Sequence, residues 1–388
     1  MRPFRSLVIS GDDLRVNTSS TPSRDMVREL IALRSEDRFI FTLSEQSLRE
    51  AWCGEYFGSL PKGRWTIHPE RHSRRLVTLA KLLGVPGFGA TKAEGDVYIR
   101  FNMDTFGPGR KPLIALITDL SAIRRPKEAS LRWHGRILFR RGIREALKIA
   151  DRITAISEFS RNDLIDYAPE SAPLLRVIPN GLGAAWFSET RRSGVSTIPP
   201  DGPGYFIWYG QVTPRKNIGG LIEAYGRLAR QYGAGDIPEL LIVGRFLEGE
   251  GKIRAAVAAH GLESKVRRLP PQPLDALVQL VADSRGLVFP SFYEGFGMPV
   301  VEAMACGRPV LTSSCSSMPE VAGGHAVLCD PDNPDSIAAG MARLLDGEQW
   351  RPEAMAARRS WARNFTARAA AEGYSALIDE VIAESRRS

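Results

Sequence analysis

The feature that most constrains this chain is an alternation of short apolar runs with helix-patterned stretches. It runs along the sequence, breaks once, and starts again. SLVIS (6–10) and RFIFTL (38–43) read as strands flanking a helix over about 23–34. DVYIRF (96–101), LIALIT (113–118), RITAIS (152–157) and LLRVIP (174–179) follow, with a long helix predicted over 127–149. Continuous apolar strands separated by helices demand a parallel sheet covered on both faces. The break is WFSETRRSGVSTIPPDGPG (186–204), polar and rich in Pro, Gly and Ser, which reads as a linker. Beyond it YFIWYG (205–210), ELLIVG (239–244) and runs near 266–269, 286–290, 308–312 and 325–329 repeat the pattern, with an amphipathic helix over 217–232. A chain of 388 residues is too long for one ordinary core. The expectation is two doubly wound, Rossmann-like α/β domains, 1–185 and 205–360, with a helical tail whose last part, 361–388, is expected to pack back on the first domain.

Composition excludes several classes. No apolar run reaches the roughly 18–20 residues that span a bilayer. The start, MRPFRSLVISGDD, has too short an apolar run for a signal peptide. Four cysteines (Cys53, Cys306, Cys315, Cys329) lack metal spacing and fit a reducing cytosol. Residues 1–185 carry 30 Lys/Arg against 21 Asp/Glu, whereas residues 186–388 carry 22 against 23, so the basic excess belongs to the first half. Much of it lies in RRPKEASLRWHGRILFRRGIREALK (124–148), where Arg132, Arg136, Arg140, Arg144 and Lys148 recur every four residues as a slow spiral on a helix. An exposed basic face is the plain reading. Attraction to an anionic bilayer is the functional one. No RNA or DNA module accompanies it, so nucleic acid is not an expected partner.

Candidate chemistry concentrates in PSFYEGFGMPVVEAMACGRP (290–309). A buried strand ends at about 290, glycines at 295 and 297 turn the chain, Pro299 suits the first turn of a helix, and Gly307 and Pro309 stop it. Glu294 then lies in a strand-to-helix loop and Glu302 one turn inside the helix. Helix-start N–H groups attract anions. In YGQVTPRKN (209–217), Arg215 and Lys216 occupy a loop before another helix, well placed for a diphosphate. VIPNG (177–181) is a strand followed by an Asn-Gly turn. In AISEFSRNDL (155–164), Ser157 reads as an N-cap with Glu158 in the first turn. Asp12 and Asp13 could orient a hydroxyl, although capping or solvation explains them more simply. Asp330-Pro331-Asp332 spells D-x-D but falls in a strand-to-helix turn. GVPGFG (84–89) lacks the strand and helix of a nucleotide fingerprint.

EGFGMPVVE resembles the E-x7-E motif of family-4 retaining glycosyltransferases, which have the two-domain GT-B fold. GQVTPRKN, DRITAISEFSRNDL, VIPNG and TSSCSSMPEVAGGHAVLCDPDN resemble other segments of that family in the same order, covering about 110–345. The resemblance implies that the two domains face each other across a cleft and that the chain moves a hexose or deoxyhexose, weakly favouring GDP-mannose-like donors, to a lipid-linked or polysaccharide acceptor. It implies that Glu302 takes the ribose hydroxyls and Glu294 the donor sugar. The N–H groups at Phe296, Gly297 and Met298 would face the diphosphate, and Lys216 and Arg215 would neutralise the leaving group. Gly210, Gln211 and Asn180 complete the expected donor site, and Asp119 the catalytic set. Neither metal nor cofactor is expected, and the chain is expected in the cytoplasm, peripheral on the inner membrane face. Three departures stand out. Thr118 replaces the family's usual histidine, the loop 10–23 holds only one glycine, Gly11, and Gln211 stands where several relatives carry arginine. A nucleotide-sugar epimerase or hydrolase, and a non-catalytic GT-B subunit, therefore remain alternatives.

Overall fold

The computed structural model describes residues 5–14, 21–70, 91–101, 112–128, 133–188, 204–245 and 249–387. Two compact units emerge. The first comprises Met1–Leu120, Leu131–Gly181 and Ala367–Ser388, and the second Ser121–Ser130 and Leu182–Thr366. Of the stretch read as a linker, 189–203 lie outside the described residues, as do GVPGFG and Arg132.

In the first unit β1 (Ser6–Ser10), β2 (Arg38–Ser44), β3 (Trp65–Glu70), β4 (Val97–Arg100), β5 (Leu113–Ile117), β6 (Arg152–Ala155) and β7 (Leu175–Val177) form one sheet in the order β3-β2-β1-β4-β5-β6-β7. Every pairing is parallel. The central strands are buried throughout because helices cover both faces, which is why Leu7, Ile9, Ile99 and Ile114 read as unbroken apolar runs. β3 escaped the sequence reading. It lies at the sheet edge, pairs among the described residues with β2 alone, is mostly half-buried or exposed, and carries Pro69, which an edge strand tolerates. The helix predicted over 127–149 spans Trp133–Ile149 among the described residues. Pro126–Glu128 instead form a turn, closed by the Glu128 N–H donating to the Arg125 carbonyl, for which Pro126 supplies the preset backbone.

In the second unit β8 (Tyr205–Tyr209), β9 (Glu239–Val243), β10 (Val266–Leu269), β11 (Gly286–Phe289), β12 (Val310–Ser313) and β13 (Val327–Cys329) run in the order β10-β9-β8-β11-β12-β13, again all parallel. The Ile218–Tyr232 helix buries Ile218, Leu221, Ile222, Tyr225 and Leu228, a 3–4 spacing that puts them on one face. Asn217 caps it from a left-handed backbone (φ 54°), its side chain accepting from the Gly220 N–H and donating to the Pro331 carbonyl at 2.7 Å.

The helical tail comprises two helices. Pro352–Ala362 belongs to the second unit and Ala367–Ser385 to the first. The latter carries Asp379 against Arg5 and Arg34, and Glu380 against Arg152 (2.9 Å) and Arg176 (2.6 Å). These carboxylates are at least a third exposed, so each pair is worth ~0–1 kcal/mol. Burial of Leu377, Ile378, Val381 and Ile382, at ~1.5–3 kcal/mol for each such side chain, holds the helix down more firmly.

Candidate active site

The second sheet reverses its winding between β8 and β11: the chain leaves β8 for β9 on one side and places β11 on the other. Loops leaving the carboxyl ends of two such strands diverge and open a crevice. Residues 210–217 and 290–297, the two stretches singled out in the sequence, are those loops. Each loop has a tight contact that a glycine permits. A Cβ on Gly244 (φ 146°), at the end of β9, would sit 1.8 Å from the Gly210 carbonyl oxygen. One on Gly297 (φ 100°), the N-cap of the Met298–Ala305 helix, would strike Met318 Cε at 2.2 Å.

The loops are tied together. The Phe292 N–H donates to the Arg215 carbonyl at 2.9 Å, and the Arg215 guanidinium donates to the Tyr293 carbonyl. From the following loop, Ser316 Oγ accepts from the Glu294 N–H at 3.1 Å, and Ser317 Oγ contacts the Glu294 and Phe296 carbonyls at 2.8 and 3.0 Å. Ser316 is itself left-handed (φ 54°). Thus Arg215 and Lys216 meet Glu294, which lies 78 residues beyond Lys216 along the chain, as one triad: Arg215 Nη1–Glu294 Oε2 is 2.7 Å and Lys216 Nζ–Glu294 Oε1 is 3.2 Å. Lys216 also stands 4.6 Å over the Phe289 ring.

Burial of Glu294 acts to raise its pKa, but the Arg215 and Lys216 charges overcome this and hold it at about 2. Burial lowers Lys216 despite Glu294. Glu294 was read as a residue of the strand-to-helix loop. It is buried there, at 7% exposure, because the two cations make an ionised buried carboxylate tenable. With all three ionised the triad is net +1, a charge suited to an anionic ligand. Glu302, one turn into the Met298–Ala305 helix, is half-buried, and its Oε2 accepts from the Tyr209 hydroxyl at 2.7 Å. Desolvation raises it to about 7 against the opposing pull of Tyr209 and Lys216.

The N–H groups of Phe296 and Gly297 make no hydrogen bond to a described residue. Phe296 anchors the loop, its ring edge-on to Phe365 at 5.5 Å. Gly210 and Gln211 stand at the end of β8, both half-buried. Asp119 and Asn180 belong to the first unit, after β5 and β7. Thr118, beside Asp119, is exposed, and its carbonyl accepts from Ser160 Oγ at 3.1 Å. Ser157 caps its helix as expected, accepting from the Ser160 N–H. Asp12 and Asp13 are buried backbone acceptors. Asp12 takes the Ser44 N–H (3.1 Å), and Asp13 the Phe101 N–H (2.8 Å). The D-x-D is a turn in which Asp330 Oδ1 accepts from the Asp332 N–H. No group of three or more His, Cys, Asp or Glu that could hold a metal occurs among the described residues. Among the expected basic residues, Arg140, Arg144 and Lys148 are exposed. Arg136 is half-buried, so it does not share their solvent face. No described helix is long and apolar enough to cross a membrane.

Tyr209, Ser316 and Ser317 were missed. A serine-rich loop gives no sign of which backbone it will pin. For Tyr209, the hint was a polar-tipped aromatic closing an otherwise apolar strand.

Two parallel-sheet Rossmann-like units in one chain, with this site at the switch point of the second, define the GT-B class of glycosyltransferase fold. Sucrose-phosphate synthase from Thermosynechococcus elongatus superposes with a TM-score of 0.74 at 16% identity, covering 98% of this chain and 100% of that one. Residues 193–364, which hold Arg215, Lys216, Glu294 and Glu302, match the family described as "Glycosyl transferases group 1", and that segment belongs to it. The chain is 32% identical over 233 residues to O-antigen chain mannosyltransferase B of Escherichia coli, a match covering 58% of this chain and 60% of the relative. It is 30% identical over 222 residues to MMP alpha-(1->4)-mannosyltransferase of Mycolicibacterium hassiacum, covering 55% and 49%. The matches thus span less than two thirds of either relative's length.

Proposed function

We propose that this protein transfers a hexose, mannose-like by preference, from a nucleoside diphosphate sugar to a lipid-linked or polysaccharide acceptor, with retention of the anomeric configuration. The observation that carries this reading is the Arg215–Lys216–Glu294 triad facing the Tyr209–Glu302 pair at the β8/β11 switch point. Two of the relatives are named mannosyltransferases, which supports the choice of sugar. Glu302 accepts from ribose hydroxyls, since one carboxylate offers two oxygens to vicinal OH groups. Arg215 and Lys216 meet the diphosphate, and Glu294 both holds them in place and accepts from the sugar. In the reaction the C1–O bond to the β-phosphate breaks, the acceptor oxygen bonds to C1 from the same face, and its proton passes to the departing phosphate oxygen. Charge grows on that phosphate as the bond lengthens, so two pre-placed cations stabilise the transition state more than the ground state.

A retaining transferase gives an acceptor-dependent product whose new linkage has the donor's anomeric configuration. Incubation with GDP-mannose and UDP-glucose, with and without lipid-linked acceptor, followed by NMR of the product, checks this. Free sugar or an isomerised donor without acceptor would favour a hydrolase or epimerase, and no turnover with intact nucleotide binding a non-catalytic subunit. The two cations supply the positive charge at the leaving group, so turnover is expected to survive EDTA. Loss restored by Mg²⁺ would overturn that part. We further place the first unit on anionic membrane through the exposed Arg140 and Arg144 face.

A further inference from the structure

We propose that Tyr209 is a positioning residue for the donor's nucleoside: its hydroxyl holds Glu302 by Oε2 and keeps Oε1 turned out for a ribose hydroxyl. The proposal rests on the reading of Glu302 as the ribose acceptor. Tyr209 closes β8 at 5% exposure, and its hydroxyl lies 2.7 Å from Glu302 Oε2 and 3.2 Å from the Pro299 carbonyl oxygen. One phenolic proton cannot serve both. The shorter, charge-assisted bond to the carboxylate takes it. Glu302 Oε1 has no hydrogen bond to a described residue. The phenol therefore fixes one oxygen of a carboxylate that would otherwise rotate freely on a helix turn, and orients the other.

The bond has a second effect. A half-buried carboxylate with one cation at hand is close to losing its charge. Glu302 is acted on by Tyr209 from β8 and by Lys216 from the loop before the Ile218–Tyr232 helix. Cys306 lies one turn on along its own helix. From the helix packed alongside, Arg358 and Arg359 reach the far end at Gly307. Burial pushes Tyr209 well above the usual phenol range, so it stays a donor at every working pH. When Glu302 is protonated, the phenol is released to turn to the Pro299 carbonyl, and the carboxyl becomes a donor. A ribose hydroxyl then loses its charged acceptor. Glu302 is ionised above about pH 7 and neutral below it, so nucleotide affinity falls as pH drops through 7. Removing the phenol removes a bond to the charged form, which moves the fall to higher pH.

The test is calorimetry of UDP and GDP binding from pH 5.5 to 9 on wild type, Tyr209→Phe and Glu302→Ala. Tyr209→Phe should shift the midpoint up by about one pH unit and weaken binding about fivefold at pH 7, leaving a smaller loss at pH 9, where Glu302 is ionised but no longer held. Unchanged affinity across the range, or an unmoved midpoint, would overturn the role of Tyr209. If Glu302→Ala binds like wild type, the ribose assignment itself fails. A measurement needing no Tyr209 variant is the ¹³C titration of the Glu302 carboxyl in ligand-free protein, assigned with Glu302→Gln. A midpoint near 7 supports the proposal. An ordinary glutamate midpoint overturns it.

Discussion

The two units have the same winding, and each has a switch point flanked by two carboxylates, yet the carboxylates do different things. In the first unit the crevice lies between β1 and β4, and Asp12 and Asp13 stand at its edge. Both accept from backbone N–H groups, of Ser44 and of Phe101, Asp12 also taking the uncharged Ser44 hydroxyl, and so bind neighbouring loops to one another. In the second unit Glu294 and Glu302 accept from side chains, a guanidinium, an ammonium and a phenol. A carboxylate satisfied by backbone is fixed by the fold. One satisfied by cationic side chains holds charges that a ligand can share. Topology thus marks where a ligand can sit, and the partner chemistry marks which of two equivalent crevices is built for an anion.

The sharpest way to break this contrast is Lys216→Ala. If its charge acts on the leaving diphosphate, kcat should fall by roughly 10²–10³ with the fold intact. A change confined to KM would reduce Lys216 to a binding residue. Next is Glu302→Ala, which should weaken nucleoside diphosphate binding by about 1–3 kcal/mol in calorimetry, the scale of charge-assisted hydrogen bonds. The matched change in the other crevice is Asp13→Ala. It leaves the Phe101 N–H without its acceptor and should destabilise the protein by about 1–3 kcal/mol in denaturant unfolding, with nucleotide affinity unchanged. Loss of nucleotide binding there would show that the two crevices are not independent in role. The smallest effect per residue concerns the basic helix. Arg132, Arg136, Arg140 and Arg144 changed together to Gln should release the protein from phosphatidylglycerol vesicles at low salt, each arginine near the surface contributing on the order of 1 kcal/mol. Half-buried Arg136 should contribute least, and donor binding should not move. Equal sedimentation of variant and wild type would return this helix to a solvated face.

Much of this was legible in the residues. Parallel strands buried on both faces must be continuous apolar runs, so β1, β2, β4–β6, β8, β9 and β11 announced themselves. β3 did not, because WTIHPE is mostly half-buried or exposed, carries polar residues and Pro69, and so makes no continuous apolar run. The capping of 158–167 by Ser157 was equally readable, since it is decided within four residues. The tail read as helical and alanine-rich, with 361–388 set apart as the part that packs on the first domain. Its break before Ala367 comes where the chain passes from one unit to the other, and no local propensity encodes that.

For the site, the sequence determined which side chains are present and that two loops follow adjacent strand positions. It did not determine that Glu294 would be buried between Arg215 and Lys216, nor that Tyr209 would hold Glu302. Those contacts join residues 78 and 93 positions apart. They exist because parallel pairing of β8 with β11 brings two strand ends side by side, with Gly244 letting the β9 end close on the Gly210 backbone and Gly297 leaving room for the Met318 side chain. Local pattern is set by the chemistry of neighbours in the chain. The charge state of Glu302 and the pairing of Glu294 are set by desolvation and by distances across the sheet, and only the tertiary structure fixes those.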